Sequence, residues 1–194
     1  MISYQDIAGS KVLFEKDLVA DQTFTGLTVK LNTGGREFNV TEGLGTSTAT
    51  STLVLAHAGG FDDQRVTATM KYVAPSTALD HEMGVMARFQ TLDENADEDY
   101  YYARVVDGEA RITKVIAGSF TTLSQGAFPL PVDTDVTITF SVVGNALTAE
   151  FNAGGAPETV NLAVVDTDIT QGGLCGFRTR TSAGYFSQIT VEQL

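Results

Sequence analysis

The chain has 194 residues, 19% of them charged, which is long enough for one domain with its own core. A net charge of −12 argues against nucleic acid as a partner, because neutralising phosphates requires clustered lysine and arginine. Cys175 is the only cysteine, so neither an intrachain disulfide nor a thiolate zinc cluster can form. No apolar run approaches the roughly 20 residues of a membrane span, and the first residues lack the basic and apolar regions of a signal peptide. We therefore expect one domain over residues 1–194 that contacts neither nucleic acid nor membrane.

Apolar and polar residues alternate along the chain with the two-residue period of half-buried β-strands. The clearest runs are 27–31, 66–72, 136–142 and 147–151. Gly144-Asn145 joins the last two runs, and Asp107-Gly108 separates another pair; both dipeptides suit two-residue hairpin turns because glycine accepts a positive φ. No window shows a sustained helical period with caps. The sequence predicts an all-β fold.

Six segments from residue 84 onward follow one another in a recognisable order. They are G-V-M-A-R-F-Q (84–90), Y-Y-Y-A-R-V (100–105), R-I-T-K-V-I-A-G-S-F-T-T-L (111–123), T-I-T-F-S-V-V-G-N-A-L-T-A-E-F-N (137–152), D-T-D-I-T-Q-G-G-L-C-G-F-R-T (166–179) and Y-F-S-Q-I-T-V (185–191). In this order the chain resembles the concanavalin A-like lectin/glucanase superfamily, in its laminin G-like branch. The resemblance implies an antiparallel β-sandwich of two curved sheets, a jelly roll. It implies no single function, because that superfamily contains glycosidases, lectins, adhesion modules and viral surface proteins.

Paired carboxylates would be required for a retaining glycosidase. The laminarinase-type members of the superfamily carry E-x-D-x-E on one strand, and this chain has no such motif. Glu150 has no acid two residues away on either side, and the pairs Asp133/Asp135 and Asp166/Asp168 sit at predicted strand edges. We therefore expect no enzymatic activity, and a glycoside hydrolase is the alternative.

A run of five acids, L-D-E-N-A-D-E-D (92–99), precedes three consecutive tyrosines. Oxygen ligands occur at every second position of this run, at Asp93, Asn95 and Asp97. A full EF-hand also needs glycine at its sixth position and glutamate at its twelfth, where this chain has Glu98 and Arg104. The EF-hand is therefore excluded. Two interpretations remain: a solvated polar loop, and a looser calcium site of the kind that the resembling family holds through loop carboxylates and carbonyls.

The tyrosines that follow separate by parity, because successive side chains of a strand point to opposite faces. Tyr101 shares a face with Ala103 and is predicted to point into the core. Tyr100 and Tyr102 share the other face with Arg104.

Arginines on two further predicted strands extend this non-core face. Its candidate carbohydrate-binding residues are Arg88, Tyr100, Tyr102, Arg104 and Arg178. Aromatic faces can pack against the C–H groups of a sugar while guanidiniums donate to its hydroxyls. The alternative, which the abundance of acids favours, is that the arginines pair with carboxylates across strands. Cys175 is expected to be a small buried residue, and His81 to lie in an exposed loop.

Two functions fit these observations. The first is a structural or interaction protein, most plausibly on the surface of a bacteriophage particle as a capsid decoration, head-fibre or tail protein. It would be a homo-oligomer that reaches the exterior after lysis. The second is a glycan-binding module for attachment to host polysaccharide. The two are compatible, because a virion protein can also bind sugar.

Calcium binding by the acidic run would raise the melting temperature, because a ligand that binds only the folded state stabilises it. We expect a higher melting temperature in calcium than in chelator, measured by differential scanning calorimetry, with magnesium as the control ion. An unchanged midpoint would exclude the site.

Overall fold

The structure is a computed structural model that describes residues 6–7, 10–23, 25, 27–33, 37–39, 41, 43–46, 52–74, 82–90, 98–129, 133–154, 159–180 and 183–194. These residues form strands and no helix, so none of them belongs to a helix that could cross a membrane. The strands are β1 (Asp6–Ile7), β2 (Ser10–Asp17), β3 (Thr28–Thr33), β4 (Glu37–Asn39), β5 (Gly43–Thr46), β6 (Thr52–Phe61), β7 (Gln64–Ala74), β8 (Glu82–Phe89), β9 (Tyr100–Val106), β10 (Glu109–Ile116), β11 (Ser119–Ala127), β12 (Asp135–Val143), β13 (Ala146–Ala153), β14 (Thr159–Val165), β15 (Gly173–Arg180) and β16 (Ala183–Gln193).

The strands form two antiparallel sheets that pack face to face. The nine-stranded sheet has the order β1-β2-β16-β7-β12-β13-β14, and β5 joins β4 to β16. The seven-stranded sheet has the order β11-β10-β9-β8-β15-β6-β3. This is the antiparallel jelly-roll sandwich that the alternating pattern and the family resemblance predicted.

The core lies between the sheets and is built from alternate residues of facing strands. Val66 and Phe140 contribute from the nine-stranded sheet, and Val85 and Ile112 from the seven-stranded sheet. The rings of Phe177 in β15 and Phe186 in β16 stack across the interface with centroids 4.2 Å apart. In β12 and β13 the polar residues between the core positions face outward, which explains the two-residue period of the sequence there.

Both predicted two-residue hairpins are confirmed. Asp107 and Gly108 have φ values of 51° and 80° and connect β9 to β10, as a type I′ turn requires. Gly144, with a φ of 54°, begins the turn between β12 and β13. The first hairpin fixes the register of β9, which carries Arg104 of the candidate site.

A β-bulge in β8 places Arg88 on the opposite side of the sheet from the one predicted. Leu174 pairs with Phe89 and Gly176 with Met86. Two residues of β8, Ala87 and Arg88, therefore lie opposite the single residue Cys175 of β15. Arg88 is one of the two and has a left-handed φ of 53°. The alternation is inverted beyond this point: Phe89 faces outward with Met86, and Arg88 does not join Tyr100 and Tyr102.

Instead, the buried guanidinium of Arg88 donates to backbone carbonyls from three connections between strands. Nε and Nη2 donate to the carbonyl of Asp62 at 3.0 and 2.7 Å. Nη1 donates to Ile169 and Nη2 to Gly144, each at 2.7 Å. Gln64 completes the bulge by accepting a hydrogen bond from the Arg88 backbone N–H at 2.9 Å. Because these carbonyls occupy the guanidinium, Arg88 is a structural residue and does not belong to the carbohydrate-contacting face.

We expect Arg88→Ala to lower the free energy of unfolding by about 3 kcal/mol or more, because it strips charged donors from three buried or half-buried carbonyls. Urea denaturation followed by circular dichroism measures the change. Arg111→Ala is the matched control: it removes an arginine paired with Glu109 at 2.7 Å near the surface, and should cost less than about 1 kcal/mol. Equal effects of the two changes would contradict the role assigned to Arg88.

Candidate functional site

The outer face of the seven-stranded sheet carries a second, smaller apolar cluster. Its buried members are Met86, Phe89, Tyr100, Tyr102 and Val115. The Phe89 and Tyr100 ring centroids are 5.3 Å apart, and those of Tyr100 and Tyr102 are 6.0 Å apart in an edge-on arrangement. The predicted parity of the tyrosines is confirmed, since Tyr101 belongs to the core between the sheets. Tyr100 and Tyr102 are nevertheless fully buried, so they support the face and do not themselves present a surface.

Tyr101 ends in a polar cluster at the edge of the core. Its hydroxyl donates to Asp166 at 2.7 Å and accepts from the backbone N–H of Ile169 at 3.1 Å. Lys114 Nζ binds Asp166 at 2.7 Å and also binds Asp168. Burial alone would raise the pKa of Asp166, but hydrogen bonds from Lys114 and Tyr101 hold the pKa below its usual value. Both acids of this pair therefore share one lysine.

Above the tyrosines, one buried carboxylate pairs with two arginines. Glu82 in β8 contacts Arg104 Nη1 from the neighbouring strand β9 and lies 3.4 Å from Arg178 Nε in β15. Arg178 Nη1 also lies 3.6 Å from Glu98, and it donates to the Tyr100 hydroxyl. The prediction that these arginines pair with carboxylates across strands is thus confirmed for Arg104 and Arg178. Because the groups are buried, removing Glu82 would leave the Arg104 guanidinium uncompensated and Arg178 with Glu98 alone.

The strand register brings the arginines together across the sheet. Arg111, Arg104, Gly84 and Arg178 are successive partners on β10, β9, β8 and β15. A Cβ at Gly84 would lie 2.2 Å from the Ala103 carbonyl oxygen and 2.9 Å from Arg104 Cβ. The glycine therefore allows close strand approach and leaves the space between Arg104 and Arg178 open for their side chains.

Phe120 completes this face, although the sequence patterns did not single it out. It pairs with Val115 through the hairpin at Ala117-Gly118, which places its ring on the outer face. The guanidinium carbons of Arg104 and Arg178 lie 5.0 and 5.4 Å from the ring centroid. The residue is 36% exposed, whereas the two arginines are 7% and 8% exposed. Phe120 is thus an accessible aromatic ring held against two cations.

The arginine side chains are held in fixed positions. Arg104 Nε donates to Thr113 Oγ1 at 3.2 Å, and the Tyr102 hydroxyl donates to the Arg178 backbone carbonyl at 3.0 Å. The contacts described use Nε and Nη1 of both guanidiniums. We define the Phe120 platform as Phe120, Arg104 and Arg178 together with Glu82 and Glu98.

The predicted calcium ligands Asp93, Asn95 and Asp97, and also His81, lie outside the described residues. Among the residues that are described, no three His, Cys, Asp or Glu side chains group as metal ligands. The calcium site therefore stays a prediction. Cys175 is buried as predicted, and its thiol donates to Gln64 Oε1 at 3.2 Å. Burial raises the pKa of this thiol to about 12.

A depression of about 570 Å³ that is open to solvent lies on the outer face of the nine-stranded sheet. Its side chains bind one another: Arg65 donates to Ser141 at 3.1 Å and pairs with Glu192 at 3.5 Å. The lining contains Glu150, whose cross-strand partners are Thr139 and Asn161, so no carboxylate faces it across the strands. The lining has no aromatic residue. The Phe120 platform is therefore the better candidate for a sugar.

Comparison with known proteins identifies the fold. No family model and no curated sequence matches the chain. Among solved structures, a Bacillus subtilis protein of unknown function with a galectin-like fold matches with a TM-score of 0.68 and 15% identity, over 98% of each chain. The carbohydrate-binding module CBM66 from Bacillus subtilis matches at 0.66 and 13%, over 87% of this chain and 96% of that one. The CBM2 module of the evolved Dit of Lactobacillus casei BL23 phage J-1 matches at 0.66 and 10%, over 95% and 96%.

These likenesses show a galectin-like, concanavalin A-like jelly roll. The predicted jelly-roll fold is therefore confirmed, while membership of the superfamily and of its laminin G-like branch stays a prediction. At such low identity the likenesses show the fold alone.

Alkaline pH should destabilise the protein through its tyrosines. Burial raises the pKa of Tyr101 to about 12, and it also raises the pKa values of Tyr100 and Tyr102. In the unfolded chain these groups lose their protons near pH 10. The unfolded state thus holds fewer protons above that pH, and stability falls by about 1.4 kcal/mol per pH unit for each buried tyrosine.

We expect the free energy of unfolding to be independent of these groups below pH 10 and to fall above it, as urea denaturation at each pH would measure. Tyr101→Phe should reduce the slope between pH 10 and 12 relative to the unaltered protein. If tyrosinate absorbance of the folded protein instead rises with a midpoint near pH 10, the tyrosines are not buried as described.

Proposed function

We propose that the protein is a non-enzymatic glycan-binding domain whose ligand lies on the Phe120 platform. The single observation that carries this proposal is the exposed Phe120 ring, packed against two buried guanidiniums on the outer face of the sheet. The apolar face of such a ring accepts the C–H side of a pyranose. Arg104 and Arg178 supply the hydrogen-bond donors that recognise hydroxyl groups at its edge.

The charge balance of the platform favours a neutral saccharide. The positive charges of Arg104 and Arg178 are matched by the carboxylates of Glu82 and Glu98. A net charge of −12 on the whole chain also repels polyanions at long range. Uronate-rich or sulfated polymers are therefore disfavoured relative to polymers of neutral hexoses.

Preorganisation of the arginines supports binding with useful affinity. Thr113 and Glu82 hold the guanidinium of Arg104, while Tyr100 and Glu82 hold that of Arg178. Because these side chains are already ordered, a ligand does not have to immobilise them, and less binding free energy is lost.

A binding role without catalysis is supported by the positions of the acids. Lys114 binds both Asp166 and Asp168, and Asp135 lies 3.7 Å from Lys71. Glu150 lies opposite Thr139 and Asn161. Asp166 and Asp168 are the close pair among these acids, but both bind the Lys114 ammonium, whereas a retaining glycosidase needs its two carboxyl groups free to reach the sugar. The structural likeness to a carbohydrate-binding module is in keeping with this role.

A second candidate function is that of a bacteriophage virion component, on a capsid or tail. The observation that favours it is the likeness to a module of a phage Dit protein over 95% of this chain. Glycan binding and a virion position are compatible, because binding to the polysaccharide of a host surface would attach such a particle. In that case the preferred ligand would come from a bacterial cell surface.

Binding to immobilised neutral polysaccharides, some from bacterial cell walls and some from plants, tests both candidates. We expect Phe120→Ala to weaken binding at least about tenfold, which corresponds to about 1.4 kcal/mol. Val143→Ala, at an exposed valine on the other sheet, is the matched control and should leave binding unchanged.

The outcomes separate the two candidates. Loss of affinity in Phe120→Ala together with preference for bacterial polysaccharide supports a virion attachment role. Equal binding by Phe120→Ala and the unaltered protein would exclude the platform, and binding to anionic polymers alone would exclude a neutral ligand.

A further inference from the structure

One flank of the sandwich is formed by two adjacent edge strands. Among the residues that the structure describes, β14 is the last strand of the nine-stranded sheet and pairs only with β13, and β11 is the last strand of the seven-stranded sheet and pairs only with β10. The two edges are close together, because a Cβ on Gly126 would lie 3.2 Å from Val160 Cγ1 and 3.5 Å from Leu162 Cδ2. Each edge presents backbone N–H and C=O groups that lack a neighbouring strand.

This flank is free of charge in a strongly acidic protein. The sequences S-F-T-T-L-S-Q-G-A of β11 and T-V-N-L-A-V-V of β14 contain no Asp, Glu, Lys, Arg or Pro. The edges of the opposite flank differ: β2 has the sequence S-K-V-L-F-E-K-D, β1 contains an aspartate and β3 a lysine. Charged residues on an edge strand are a common means of preventing strand addition, and only one flank has them.

Of the two neutral edges, β14 is the one suited to pairing. The register of β11 shifts opposite Ile112 and Thr113, and such a bulge disturbs the ladder and discourages pairing. β14 pairs with β13 without a shift from Thr159 to Val165. Its outward side chains, Thr159, Asn161, Ala163 and Val165, are all exposed, and Val165 is 70% exposed.

We propose that β14 is the interaction surface for a second copy of this chain, which adds its own β14 in antiparallel orientation and continues the nine-stranded sheet across a two-fold axis. An antiparallel strand pairs with itself about such an axis, so the edge is complementary to its own copy. With Leu162 of one copy opposite Leu162 of the other, Asn161 lies opposite Ala163 and Thr159 opposite Val165. No like charges are opposed within Thr159–Val165 in this register; like charges directly opposite would be destabilising.

Charge selects this edge for a second copy. Two chains of −12 repel one another, and the repulsion is smallest where the approaching surfaces carry no carboxylates. A copy that approached through β2 would bring its Glu15 and Asp17 toward those of the first. The neutral flank allows strand pairing at the lowest electrostatic cost. Association should strengthen as salt screens the remaining repulsion.

Sedimentation equilibrium of the full chain tests the proposal. We expect a monomer–dimer equilibrium whose dissociation constant falls as ionic strength rises from roughly 0.02 M to 0.5 M. Ala163→Lys should weaken dimerisation at least about tenfold, because it places two lysines near the two-fold axis. Thr148→Lys is the matched control, since Thr148 is exposed on the same sheet face and pairs with Ala163 one strand in from the edge.

Hydrogen exchange provides a second measurement that does not depend on a variant. Amides of β14 should be more protected at high protein concentration than at low concentration, while those of β2 should not change. A protein that stays monomeric at high salt and high concentration overturns the proposal. So does equal weakening by Ala163→Lys and Thr148→Lys, or concentration-dependent protection of β2 in place of β14.

Discussion

The bulge at Arg88 is the constraint on which the outer face of the seven-stranded sheet depends. One extra residue in β8, stabilised by Gln64 and by carbonyls of three connections, inverts the alternation at the end of the strand. A left-handed arginine costs backbone energy of about 1–2 kcal/mol, which these hydrogen bonds offset. As a result Phe89 faces outward and supports Tyr100, so that a chain with no tryptophan has two buried aromatic layers.

This second layer gives the arginines their rigidity. A guanidinium on an open sheet surface would move freely and pair weakly with nearby acids. Here Arg104 and Arg178 lie over buried tyrosines and share the buried carboxylate of Glu82, so desolvation strengthens each contact. The cost of burying these charges is met by mutual neutralisation, and only Phe120 is left as an accessible ring.

The sequence predicted the sandwich, its hairpins and the parity of the three tyrosines, because β9 has no irregularity and the two-residue period holds throughout it. Four of the five predicted site residues lie together in the structure. Arg88 was misplaced because a bulge leaves no periodic signal when the left-handed residue is not glycine. Phe120 could have been found: a two-residue turn at Ala117-Gly118 pairs it with Val115 by simple counting. The depth at which the tyrosines and arginines are buried could not be predicted, because it depends on packing above the sheet.

The order of the strands also constrains how this chain acquires its structure. β15 lies between β8 and β6 in one sheet, and β16 lies between β2 and β7 in the other. Each of the last two strands is therefore an interior strand of its own sheet. Neither sheet can close around its core until residues 173–193 have been synthesised. All pairings of these two strands join residues distant in sequence, which makes folding slow and leaves earlier strands exposed in the meantime. During that interval, repulsion between the charges of β2 and between the net charges of nascent chains keeps incomplete chains from associating.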